Sequence, residues 1–203
     1  QQPSVEYRGI FINDEDWGLM PWANNYEGLG RGKIGPKVNA RIFELLLRLR
    51  ANYYWPAMHE CTHPFFLTEG NREMAAKYGI YVGGSHCEPM ASSTAVEWGL
   101  RGKGDYDYVN NSDNVKEFWE NRVRDVKNQE IVYTLGMRGV HDGKMQGAKT
   151  IEEQKAVLQR VISDQREMLS KHINGDLTQI PQVFIPYKEV LDIYNAGLEV
   201  PED

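Results

Sequence analysis

The sequence predicts an α/β fold built on a parallel sheet, and three observations predict it. Short apolar runs recur along the chain, and they do not alternate between apolar and polar positions. Stretches with helical spacing separate them. Five such strand–helix units follow one another, each roughly 25 to 50 residues long. Continuous apolar strands suit a parallel sheet covered on both faces.

The elements are read in order. The first strand is Gly9 to Ile12. A glycine-rich loop from Tyr26 to Gly35 leads to a helix opened by Pro36, whose fixed φ suits a first helical position. Val38, Ile42, Leu45, Leu46 and Leu49 give that helix its apolar stripe. A second strand lies near Ala51 to Ala57, and Glu69 to Tyr78 reads as helix. The third strand, Gly79 to Gly83, stops at Gly83-Gly84. A helix is expected over Asp113 to Lys127, and a fourth strand over Ile131 to Met137. Glu152 to His172 is a long amphipathic helix with Val157, Val161, Ile162 and Leu169 inward. Gln182 to Pro186 is the fifth strand, and Val190 to Ala196 starts a further helix.

Two architectures fit this order: an open doubly wound sheet, or part of a (β/α)8 TIM barrel. No G-x-G-x-x-G follows the first strand, which weakens a dinucleotide-binding version. A full barrel takes about 250 residues and eight units. The 203 residues here hold about the first five, so a single α/β domain excerpted from a longer polypeptide is expected. A compact five-stranded α/β domain is the alternative.

Composition narrows the function. Hydrophobic residues make up 41% and charged residues 26%, ordinary globular values. The net charge of −6, with no Lys/Arg block, argues against nucleic acid as a partner. No apolar run reaches the ~18 residues of a membrane span. No signal segment is visible at the N-terminus, so either the chain is cytoplasmic or a signal has been removed. Cys61 and Cys87 fit one disulfide or two free thiols equally well. Five Trp and eleven Tyr, many beside polar residues, suit stacking on sugar rings.

Both architectures bind ligands at the carboxyl ends of the strands. The first strand ends in Asn13, Asp14, Glu15, Asp16 and Trp17, a charge density that is costly unless a ligand uses it. The second ends in Trp55, Met58, His59 and Glu60; the third in Ser85, His86, Cys87 and Glu88. The fourth offers Arg138, His141 and Asp142, and the fifth Tyr187, Lys188 and Glu189. Asp142 and Glu189 stand on successive units and suit the paired carboxyl chemistry of a glycosidase. Arg138, four residues before Asp142, is placed to lower its pKa or to bind an anionic substrate group. His86 is a candidate donor or proton carrier.

Two motifs point elsewhere. His59-Glu60-Cys61-Thr62-His63 matches the H-E-x-x-H zinc signature, which needs both histidines on one helical face. Pro64 directly after His63 and Pro56 before His59 make this segment a strand exit and loop. The loop from Leu29 to Gly35 lacks the Lys-Ser/Thr ending of a phosphate loop, since Ile34 follows Lys33. No metal or cofactor is assigned.

Five segments together carry a family likeness: R-G-I-F-I-N-D-E-D-W-G-L, N-Y-Y-W-P-A-M, G-S-H-C-E-P-M, Y-T-L-G-M-R-G-V-H-D and F-I-P-Y-K-E-V. In this order they resemble the catalytic barrel of the family-115 glycoside hydrolases, xylan α-1,2-glucuronidases. The resemblance implies a (β/α)8 barrel within a larger, dimeric, periplasmic or extracellular enzyme. It implies release of glucuronic acid or its 4-O-methyl form from xylan, with inversion and without a cofactor. Glucuronoxylan is then the partner. Asn13 and Asp14 match the family's first-strand pocket residues; His86, Arg138, Asp142 and Glu189 match later strand-tip residues. Asp142 and Glu189 are then the catalytic pair, with Glu189 chosen as general acid and Asp142 as the water-activating base and the reverse order left open, and His86 and Arg138 bind substrate. A zinc metallopeptidase using His59, Glu60 and His63, or a non-catalytic carbohydrate-binding module, are the competing readings.

Overall fold

The structure is a computed structural model that describes residues 2–13 and 17–202. Its described residues form five strands and seven α-helices, and every strand pairing is parallel. The chain divides into two compact units. The first is Gln1–Gly83 with Asn128–Ile131, and the second is Gly84–Lys127 with Val132–Asp203.

The first unit holds a three-stranded sheet in the order β1 (Gly9–Phe11), β2 (Tyr53–Trp55), β3 (Tyr81–Val82). Gly9 pairs with Tyr53, and a Cβ on Gly9 would lie 2.0 Å from the Tyr53 carbonyl oxygen. Only glycine permits that approach. The crossover helix α2 (Pro36–Arg48) begins at Pro36 as expected and buries Val38, Ile42, Phe43 and Leu46. Leu45 and Leu49, assigned to the apolar stripe from spacing, are exposed instead. α3 (Asn71–Tyr78) is tied to α2 by buried amides: Asn39 Nδ2 donates to Asn71 Oδ1 at 3.0 Å.

Two features of this unit depart from the sequence reading. α1 (Leu19–Glu27) lies where no helix was assigned. Its Pro21 sits in the first turn, where a missing N–H costs no hydrogen bond. β1 is exposed along its whole length, not buried on both faces.

The second unit pairs β4 (Tyr133–Leu135) with β5 (Gln182–Phe184) and carries α4 (Glu97–Arg101), α5 (Ser112–Val126), α6 (Ile151–His172) and α7 (Glu189–Asn195). α6 starts in a full capping box: Thr150 Oγ1 accepts from Glu153 N, and Glu153 Oε2 accepts from Thr150 N. It buries Val157, Leu158, Val161, Ile162 and Leu169. α4 was not assigned from sequence; its Glu97 is buried in an ion pair with Arg122 of α5. Neither helix is long and apolar enough to cross a membrane, nor is any other among the described residues.

One contact aims the end of β4. Gln165 of α6 is fully buried and clamps Gly136, accepting from its N–H at 2.7 Å and donating to its carbonyl at 3.0 Å. The amide side chain replaces a ladder rung where the strand ends, at Gly136 with φ +91°. A Cβ there would meet the Phe184 ring at 3.2 Å. Arg138 follows two residues later.

Candidate active site

The site lies in the second unit, where the loop after Gly84 and the exits of β4 and β5 supply its side chains. Arg138 is at its centre, with its side chain only 2% exposed. Its Nε and Nη2 donate to Glu189 Oε1 and Oε2 at 3.0 and 2.9 Å, a bidentate pair. Its Nη1 donates to Asp142 Oδ1 at 3.1 Å, and Nη2 also reaches the Asp142 carbonyl at 3.2 Å. One guanidinium therefore bridges both candidate catalytic carboxylates.

His86 completes the cluster, with Nε2 2.9 Å from Asp142 Oδ1. Its ring stacks on Tyr187, centroids 4.2 Å apart. Tyr187 also lies under the Arg138 guanidinium at 5.4 Å and the Lys188 ammonium at 5.1 Å. Lys188 Nζ is 3.4 Å from Asp142 Oδ2.

The electrostatics follow from this packing. Partial burial of Asp142 works to raise its pKa, but the His86 hydrogen bond and the Lys188 charge outweigh it and hold it at about 2. Burial likewise opposes ionisation of Glu189, and the Arg138 fork overcomes it, leaving the pKa below the ordinary carboxylate value. Burial lowers the His86 pKa, with Arg138 and Lys188 adding to the effect against Asp142, so the imidazole is neutral near pH 7. Behind the site, burial lifts Glu88 to about 7 despite the Ser85 N–H and hydroxyl that donate to it.

The structure thus gathers His86, Arg138, Asp142 and Glu189 into one cluster. Asn13 is exposed and belongs to the first unit; Asp14 lies outside the described residues, as do Glu15 and Asp16. Two role assignments are revised. Arg138 is buried, and Nε, Nη1 and Nη2 each donate to Asp142 or Glu189, so the side chain is placed to tie the carboxylates together. Glu189 is not a standing acid, because a bidentate guanidinium favours its anion. Sequence reasoning named Tyr187 and Lys188 at the fifth strand tip but gave them no role in the site. Their position immediately before Glu189 was the available signal.

His86, Cys87 and Asp142 each offer a ligand atom within 4.8 Å of one another, a possible soft-metal set. The Asp142 carboxylate is already engaged by Arg138, His86 and Lys188, and the Cys87 thiol donates to the His141 carbonyl. Burial pushes that thiol up to about 12, away from the thiolate a metal needs. Cys61 and Cys87 are not joined in a disulfide. The His59–His63 segment is a turn, with His63 Nδ1 2.9 Å from Thr68 Oγ1; it lacks the helix a zinc peptidase requires.

Paired carboxyls near the exits of parallel strands suit glycoside hydrolysis. The family model for glycosyl hydrolase family 115 matches residues 1–203, and the chain belongs to that family. It is similar to a solved structure described as a novel family GH115 4-O-methyl-alpha-glucuronidase with specificity for decorated arabinogalactans. The identity is 74% and the TM-score 0.96 over 100% of this chain, which spans 27% of that one. No curated protein matches the chain.

Proposed function

We propose that the complete enzyme removes glucuronic acid or its 4-O-methyl form from polysaccharide side chains by inverting hydrolysis. The observation that carries this is the single Arg138 guanidinium holding Asp142 and Glu189 together. Inverting hydrolysis needs two carboxyls separated by room for one water, about 6.5–9.5 Å apart. Asp142, ionised at any working pH, takes the proton of the attacking water. Glu189 protonates the leaving oxygen. Arg138 keeps it ionised in the free enzyme, and the negative charge of an arriving uronate raises its pKa. Asn13 and Asp14 bind sugar hydroxyls, and His86 steers the Asp142 carboxylate.

The described specificity of the 74% identical neighbour favours decorated arabinogalactan as the polymer. Glucuronoxylan, with uronate α-1,2-linked to xylose, is the second reading, supported by the family likeness. The parallel strands suit a (β/α)8 barrel as one catalytic domain, in a homodimer acting in the periplasm or outside the cell. The test is uronate release from both polymers by the complete protein, with NMR of the first anomer formed. β-Uronate is the expected product. α-Uronate refutes inversion, and no release from either polymer refutes the glucuronidase reading.

A further inference from the structure

A glucuronidase must recognise a carboxylate, and the arginine that sequence assigns to this task ties two carboxylates together. Arg138 is buried, and its Nε, Nη1 and Nη2 donate to Asp142 and Glu189. A second cation stands beside the same carboxylates. Lys188 has the needed properties. Its side chain is 47% exposed, against 2% for Arg138. Its Nζ touches Asp142 Oδ2 at 3.4 Å, and an ammonium has three donors, so the contact leaves others for a ligand.

The backbone aims this side chain. Lys188 stands at φ +52°, ψ −124°, a conformation that is strained in a non-glycine residue. It lies directly between Tyr187 and Glu189, and its ammonium rests over the Tyr187 ring. Tyr187 is itself 39% exposed and stacked on His86. Cation and aromatic face thus stand together beside both carboxylates. Lys144, another cation, lowers the Glu189 pKa through its field.

We propose that Lys188 is the specificity-determining residue that binds the uronate carboxylate, with Tyr187 as the surface under the sugar ring. The proposal rests on the glucuronidase reading above. It also separates two tasks: Arg138 sets the geometry of the catalytic pair, and Lys188 reads the charge of the substrate.

The test compares binding of glucuronate and of its neutral analogue glucuronamide to the complete protein at pH 7, by ligand-observed NMR. Wild type should bind glucuronate about tenfold to a hundredfold more tightly, the span of one charge-assisted hydrogen bond. Lys188→Gln should bring that ratio close to one while leaving glucuronamide affinity unchanged. Lys188→Arg should keep most of the preference, and Lys144→Gln all of it. Equal weakening of both ligands in Lys188→Gln would show a merely structural role and overturn the proposal. So would an unchanged ratio, or a wild type that does not distinguish acid from amide. A wild type that binds neither ligand refutes the glucuronidase reading itself, and Lys188 with it.

Discussion

Among the described residues, the strand exits of the two units differ in how their side chains are exposed and cross-linked. In the first unit the exits of β1 and β2 end in exposed or turn residues. Asn13 is open to solvent, Trp17 is 83% exposed, and Glu60 sits on an exposed turn. In the second unit the exits are cross-linked. Arg138 after β4 grips Glu189 after β5, and His86 and Lys188 hold Asp142 from either side. The densest acidic stretch in the sequence belongs to the first unit, and the cross-linked pair Asp142 and Glu189 belongs to the second. What distinguishes the second unit is opposite charge brought together from residues about fifty positions apart.

That contrast can be broken by substitution. Removing Arg138 should have the largest effect. Arg138→Gln leaves two carboxylates facing each other, and catalysis should fall 10²- to 10⁴-fold, about what one acid–base partner contributes. The same variant frees Glu189 from the guanidinium, so burial then dominates and its pKa rises. The basic limb of the kcat/KM profile should move to higher pH. A limb that stays put would show that Glu189 is not the acid.

Asn13→Ala, in the first unit, should cost less, about tenfold, as expected for one hydrogen bond to a hydroxyl. A loss as large as that of Arg138→Gln would erase the contrast between the units.

A stability effect comes next. Glu88 has its folded pKa raised from 4.5 to about 7, so its neutral form is favoured in the folded state. Its contribution is fully present below pH 4.5 and is lost as pH rises through 7. At pH 8 the ionised buried carboxyl costs about 3 kcal/mol. Glu88→Gln should remove most of this pH dependence, read as the change in thermal midpoint between pH 5 and pH 8. Parallel curves for the two proteins would contradict the burial argument. The smallest effect is expected at His59 and His63. Alanine at either should leave uronate release within about threefold of wild type, measured with and without a chelator.

Much of the fold was legible because parallel strands announce themselves as short apolar runs. All five lie within their expected segments, though each is shorter at one or both ends. α1 was missed because Pro21 and the polar pair Asn24-Asn25 disguise a helix whose buried face is only Met20 and Ala23. α4 is five residues long, too short for any periodicity to show. The exposure of β1 was also invisible, since Ile10 and Phe11 read as core. At the site, residue type and order picked out His86, Arg138, Asp142 and Glu189. Their roles were harder to read. Whether an arginine faces substrate or ties down its neighbours depends on Glu189, fifty-one residues away, and adjacent sequence does not record that pairing. Lys188 is a common surface residue by type, and only its place over Tyr187 and beside Asp142 singles it out.

The most direct measurement is uronate release by the complete protein carrying Asp142→Asn or Glu189→Gln. The substrate is whichever polymer the wild type cleaves. Each substitution nearly preserves shape and removes one charge from the Arg138 bridge. The expected result is a loss of at least about a hundredfold in kcat for each, with the protein still folded. Release within a few-fold of wild type by either variant would contradict the assignment of the cross-linked pair as the catalytic centre.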